Sequence, residues 1–110
     1  LEPVMTIEAK NDPDSAYWRQ IRLQPADMPD VKRAELIKQT QQLFTRLGCQ
    51  DYARFDYRAD QYGQLRLIDA NAHPMLSPGG MMTTMARSAG MSYAELFGAI
   101  LEVGLKRLAL

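Results

Sequence analysis

ARFDYRADQYGQLRLIDAN, residues 53–71, reads as two strands around a tight polar turn. Strand alternation sets Arg54, Asp56 and Arg58 on one face of the first strand, with Ala53, Phe55 and Tyr57 on the other. In the second strand the same alternation groups Leu65, Leu67, Asp69 and Asn71 against Arg66, Ile68 and Ala70. With Tyr62-Gly63 as the turn, Asp56 falls directly across from Asp69 and Arg54 across from Asn71. Like charges facing each other across a hairpin repel. A cation between them relieves that repulsion, so the stretch reads first as a divalent-metal site.

Working outward, the residues before the hairpin carry a helical signal. Pro29-Asp30 opens it, with Asp30 as the expected N-cap. Ala34, Ile37, Phe44 and Leu47, with Leu36 and Leu43 alongside, form one apolar stripe, and Gly48 supplies the stop. Upstream, Pro3–Ile7 reads as a short strand running into Glu8-Ala9-Lys10, and Ala16–Leu23 as a second short strand. Residues 11–28 lack clear periodicity and read as a mobile functional loop.

After the hairpin, residues 72–80 form an irregular loop punctuated by Pro and Gly. Met81–Ala89 reads as a short helix ended by Gly90. Ser92-Tyr93-Ala94-Glu95 matches a capping box, with Met91 and Leu96 where a hydrophobic staple sits, and opens a last helix. Leu96, Phe97, Ile100, Leu101, Val103, Leu105 and Leu108 are expected to face a core. Met75, Met81, Met82 and Met85 read as core filler, and Cys49 as a small packed side chain. The fold class expected is α+β, an antiparallel sheet with packed helices, and residues 1–110 read as one unit.

Composition narrows the functional classes. Thirteen basic residues balance thirteen acidic ones, which argues against a nucleic-acid footprint or a polybasic membrane patch. No apolar run reaches the roughly 20 residues of a membrane-spanning helix. The single Cys49 rules out an internal disulfide and fits a reducing, cytoplasmic compartment. The chain starts at Leu1 and enters strand-like sequence at once, which gives the expectation of a piece cut from a longer protein.

Taken in order, Leu47-Gly48-Cys49, Ala53-Arg54-Phe55-Asp56, Asp69-Ala70-Asn71-Ala72-His73-Pro74-Met75 and Ala89-Gly90-Met91-Ser92 form a pattern. It resembles the C-terminal catalytic region of ATP-grasp ligases, in the D-alanine–D-alanine ligase branch. Glu8-Ala9-Lys10 is similar to the segment that opens that family's mobile loop, and Leu23–Pro29 to its exit into the helix. The resemblance implies the C-terminal part of an ATP-grasp fold. It also implies an ATP- and Mg²⁺-dependent carboxylate–amine ligase of peptidoglycan biosynthesis, with Mn²⁺ able to substitute, acting through an acyl phosphate on an amino acid or peptide.

By the same resemblance, Asp56, Asp69 and Asn71 are the metal ligands, Arg54 stabilises the developing oxyanion, and Lys10 neutralises the transferring phosphoryl group. Gly80 and Met81, ahead of a helix, offer backbone N–H groups to the acceptor's carboxylate. A homodimer is compatible with the family, and the 110 residues by themselves are expected to be inactive. The chain departs from the pattern at Asp69, where the ligases carry Glu, and at Asn11, where they often carry Tyr. Met75 replaces Gly, Gly80 replaces a substrate-binding Ser, and Met81 replaces Leu. These departures motivate an alternative, a non-catalytic ATP-grasp remnant that binds a ligand or partner. A third reading, a structural domain with no ligand, predicts that Asp56 and Asp69 diverge in space.

Overall fold

The computed structural model describes residues 24–110. The strands expected at Pro3–Ile7 and Ala16–Leu23, together with Lys10, lie outside the described residues. Within them the order is helix α1 (Asp30–Arg46), strands β1 (Arg54–Ala59) and β2 (Leu65–Asn71), and helices α2 (Met81–Ser88) and α3 (Tyr93–Leu108). The expected α+β class is found: helices against a two-stranded antiparallel sheet.

Helix α1 starts one residue earlier than expected. Pro29 is its N-cap, and Asp30 is its first helical residue. Proline cannot donate an N–H, and Asp30 instead places a negative charge in the first turn, where the helix dipole favours it. The C-terminus follows the sequence. Gly48 adopts φ +69°, and the Cys49 N–H reaches back to the Phe44 carbonyl at 3.0 Å, closing a Schellman turn. The Thr40 and Tyr57 hydroxyls lie 2.7 Å apart, tying the middle of α1 to β1.

The hairpin loop is one residue longer than Tyr62-Gly63. The Asp60 N–H donates to the Gln64 carbonyl at 2.8 Å, so Gln61, Tyr62 and Gly63 form the loop, with Gly63 at φ +78°. Asp60 anchors it: one carboxylate oxygen accepts the N–H groups of Tyr62 and Gln64, each at 2.9 Å. The Gln64 N–H foremost, with the Tyr62 N–H and the Arg66 guanidinium, holds the Asp60 carboxyl below its ordinary value against an opposing desolvation penalty.

A longer loop alone would shift the ladder by one residue. A β-bulge cancels that shift. Pairing runs Ala59–Leu65, Arg58–Arg66 and Tyr57–Leu67, then skips Ile68 and resumes as Asp56–Asp69, Phe55–Ala70 and Arg54–Asn71. The register expected at the carboxylates is therefore present, but the faces of β2 are not those of simple alternation. Leu65 and Leu67 share the face of Ala59 and Tyr57, opposite to Asp69 and Asn71, because the extra residue inverts parity at Ile68.

Packing beyond the sheet centres on the loop into α2. Pro74 and Thr83 are fully buried, and the Thr83 hydroxyl donates to the Ser77 carbonyl. Helix α2 ends in a Gly90 turn (φ +87°), where the Met91 N–H donates to the Ala86 carbonyl. Helix α3 has the expected capping box: Glu95 N–H to Ser92 Oγ at 3.1 Å, and Ser92 N–H to Glu95 Oε1 at 3.3 Å. Tyr93 donates its hydroxyl to the Leu76 carbonyl, seating the start of α3 on the same loop.

Three core expectations are corrected. On α3, Leu96 and Ile100 are half-buried, whereas Phe97, Leu101, Val103, Leu105 and Leu108 are exposed among the described residues. Helix α3 meets α2, and Arg107 near its C-terminus reaches Asp51 of the α1–β1 loop, but these contacts leave much of its apolar stripe exposed among the described residues. On α1, Leu36, Leu43 and Phe44 are half-buried, but Ile37 and Leu47 are exposed. Met75 and Met85 are also exposed and are not core filler.

Candidate functional site

Strand geometry assembles the polar cluster. Residues two apart on a strand share a face, which brings Arg54 alongside Asp56. Arg54 grips Asp56 through a fork, Nε to Oδ1 at 3.0 Å and Nη2 to Oδ2 at 3.2 Å. Both side chains are partly withdrawn from water, at 20% and 35% exposure. The pairing places Asp69 opposite Asp56 and Asn71 opposite Arg54. The pairing sets Asp56 and Asp69 on one face of the hairpin. Asn71 Oδ1 also accepts the His73 N–H at 3.0 Å, which orients the carboxamide at the point where β2 leaves the sheet.

Arg54 and Asp56 open onto a cleft of about 560 Å³. Met81, Thr84 and Met85 of α2 line it, together with Arg33 and Leu36 of α1 and residues 24–26 and 28. Arg33 is engaged by the carbonyls of Ala26 and Met28, at 3.3 and 3.4 Å, which holds residues 24–28 against α1. Met81 therefore shares a cleft with Arg54 and Asp56. Gly80 does not line that cleft and sits at the N-cap of α2. A Cβ at Gly80 would come within 2.7 Å of Ser77 Oγ, so the Ser77 hydroxyl occupies the space a side chain at position 80 would need.

The donor set, two carboxylates and a carboxamide, consists of oxygen only. It suits a hard divalent ion and not zinc or copper. Among the described residues no group of three or more His, Cys, Asp or Glu side chains is placed to hold a metal ion. Such a partial set matches an ion that takes its other ligands from elsewhere, as Mg²⁺ does when one or two carboxylates share it with phosphates.

A family model described as "D-ala D-ala ligase C-terminus" matches residues 3–102. The chain belongs to this family. Within the D-ala D-ala ligase C-terminus family it is 34% identical over 78 residues to the D-alanine–D-alanine ligase of Bordetella petrii, covering 71% of this chain and 24% of the relative. The ligase of Burkholderia vietnamiensis is 32% identical over 81 residues, covering 74% and 26%. That of Bordetella avium is 36% identical over 77 residues, covering 70% and 24%. The chain thus spans about a quarter of the length of the curated relatives it matches. No helix among the described residues is long and apolar enough to cross a membrane.

Several side chains engaged in the cleft or in the fold around it carry no family motif. Asp60 could have been found from its sequence, because Asp60-Gln61-Tyr62-Gly63 has Asp and Gly at the ends of a four-residue turn. Arg33, Thr84 and Met85 could not, since only the packing of α1 and α2 brings them to the cleft. Asp51 and Arg107, away from the cleft, were equally hidden, because their forked ion pair at 2.9 Å spans 56 positions of sequence.

Proposed function

We propose that this chain provides the metal-and-phosphate side of the active site in an ATP- and Mg²⁺-dependent carboxylate–amine ligase resembling D-alanine–D-alanine ligase. The observation that carries the reading is the direct opposition of Asp56 and Asp69, with Asn71 one step along the ladder. Two like charges in register are unfavourable unless a cation joins them.

In this reading Asp56, Asp69 and Asn71 hold Mg²⁺, for which Mn²⁺ can substitute. When bound, the metal supplies positive charge to the phosphates of ATP. A carboxylate oxygen of the first substrate attacks the γ-phosphorus and ADP leaves. The amine of the second substrate then attacks the acyl carbon, and phosphate departs from the tetrahedral intermediate. Both steps gather negative charge, so fixed positive groups and N–H donors carry most of the rate enhancement. Arg54 stabilises the oxyanion, Lys10 neutralises the moving phosphoryl group, and the backbone at Gly80 and Met81 binds the acceptor's carboxylate. The substrates are amino acids or short peptides, and the setting is cytoplasmic. The reaction belongs to the whole ligase, as a homodimer or otherwise, and residues 1–110 by themselves are inactive.

The test is phosphate release from Mg²⁺-ATP by the full-length protein, assayed with D-amino acids. Turnover that depends on the amino acid and falls by about 100-fold or more in Asp56→Asn and in Arg54→Ala supports the reading. Release that ignores the amino acid, or that survives both substitutions, overturns it. One observation favours a second reading. Asp69 is a methylene shorter than the family's Glu, and Gly80 offers no hydroxyl, which fits a remnant that binds nucleotide without turning it over. Mg²⁺-ATP binding with no amino-acid-dependent release identifies that case.

A further inference from the structure

We propose that Arg54 and a divalent cation compete for Asp56, so that loading the cation moves the Arg54 guanidinium off the carboxylate and into the adjoining cleft. The proposal rests on the reading of Asp56 and Asp69 as a cation site.

The fork between Arg54 and Asp56 engages both carboxylate oxygens, at 3.0 and 3.2 Å. An in-plane lone pair on each oxygen is therefore already committed to an N–H donor. A cation placed between Asp56 and Asp69 needs at least one of the same oxygens. It also brings a double positive charge beside a single one, in a partly buried setting where salt screens poorly. The two occupants draw on the same oxygens and oppose each other in charge.

The released guanidinium has somewhere to go. The cleft contains the Arg54 side chain and about 560 Å³ of space, bounded by Met81, Met85 and Leu36. Apart from Asp56, none of the described residues that line it is acidic. Arg33, the other cation there, is held by the Ala26 and Met28 carbonyls. Once displaced, Arg54 finds no second carboxylate among the described lining residues, and its charge becomes available to an anionic ligand. Ligand-ready arginine is thus coupled to metal loading through one carboxylate.

The experiment is a Mn²⁺ titration of the full-length protein without nucleotide, with free Mn²⁺ followed by electron paramagnetic resonance. Arg54→Gln is expected to tighten Mn²⁺ binding by up to about fivefold, the scale of one partly screened ion pair. Arg54→Lys should fall between it and the unaltered protein, since an ammonium cannot fork a carboxylate. In the unaltered protein the Arg54 Nε–H resonance should shift and gain mobility as Mg²⁺ is added, a readout independent of any substitution. Unchanged or weaker Mn²⁺ binding in Arg54→Gln, or an Arg54 signal that stays put at saturating Mg²⁺, overturns the competition. Asp56→Asn separates the two levels of the argument. If it leaves Mn²⁺ binding intact, the cation site itself is wrong. If it abolishes binding while Arg54→Gln fails to tighten it, only the competition is wrong.

Discussion

Asp56 and Asp69 stand directly opposite each other because two irregularities cancel: a three-residue loop shifts the ladder by one, and the bulge at Ile68 shifts it back. Charge repulsion across a sheet costs roughly 0.2–1 kcal/mol per opposed pair. Asp69→Asn should therefore raise the stability of the protein by about that amount in the absence of divalent ions. Saturating Mg²⁺ should erase the gain or reverse it. Paired denaturant titrations with and without Mg²⁺ check both halves. A gain that is indifferent to Mg²⁺ counts against a shared cation.

The ion pair between Asp51 and Arg107 gives a pH dependence. Its hydrogen bond from Arg107, aided by the guanidinium's charge and opposed by desolvation, holds the Asp51 carboxyl below its ordinary value of 3.8. A carboxyl lowered in the folded state contributes stability above the unfolded value, and that contribution fades as pH falls through the folded value. The last turns of α3 should thus loosen below about pH 4. Hydrogen exchange across residues 104–108 should accelerate there, and Asp51→Asn should show the faster exchange at neutral pH with little further change in acid.

Gly104 and Gly80 make opposite demands. A Cβ at Gly104 meets nothing closer than Asp51 Oδ2 at 3.6 Å, an ordinary contact. Gly104→Ala should then gain the helix-propensity difference, about 0.5–1 kcal/mol. At Gly80 the same atom would press on Ser77 Oγ. Gly80→Ala should destabilise the protein, and Ser77→Ala should rescue it. Thermal unfolding of the two single variants and the double variant tests this, and additive effects would contradict it.

Thr83 is the buried hydroxyl on which the loop into α2 hangs. Thr83→Val keeps the shape and removes the donor to the Ser77 carbonyl. That carbonyl retains the Gly80 N–H at 3.1 Å, so the expected cost is modest, about 1 kcal/mol. Equilibrium unfolding measures it directly, and a change near zero would remove Thr83 as an anchor of the loop.

How far the sequence carried these conclusions varies with the range of the forces involved. Features set by neighbours in the chain were legible: the Gly48 and Gly90 stops and the Ser92–Glu95 capping box. The opposition of Asp56 to Asp69 was expected from a two-residue turn and is reached instead through a longer loop and a compensating bulge. The faces of Leu65 and Leu67 were not, because a bulge inverts parity without leaving a mark in the residue types around Ile68. The N-cap of α1 moved from Asp30 to Pro29, a one-residue matter decided by backbone angles. The apolar stripe of α3 announced a buried face, yet amphipathicity says only that a surface suits burial and not which layer covers it. The site showed the same division. Arg54 and Asp56 could be placed side by side from strand parity, but their forked ion pair, and the α2 residues that wall the cleft beside them, depend on three-dimensional packing.

The most direct test of the central claim is anomalous X-ray scattering from crystals of the full-length protein soaked in Mn²⁺. The account predicts a peak between the two strands, with oxygens of Asp56, Asp69 and Asn71 at metal–oxygen distances of roughly 2.0–2.6 Å. A Mn²⁺ peak bound elsewhere, with Asp56 and Asp69 making no contact to it, would contradict the account.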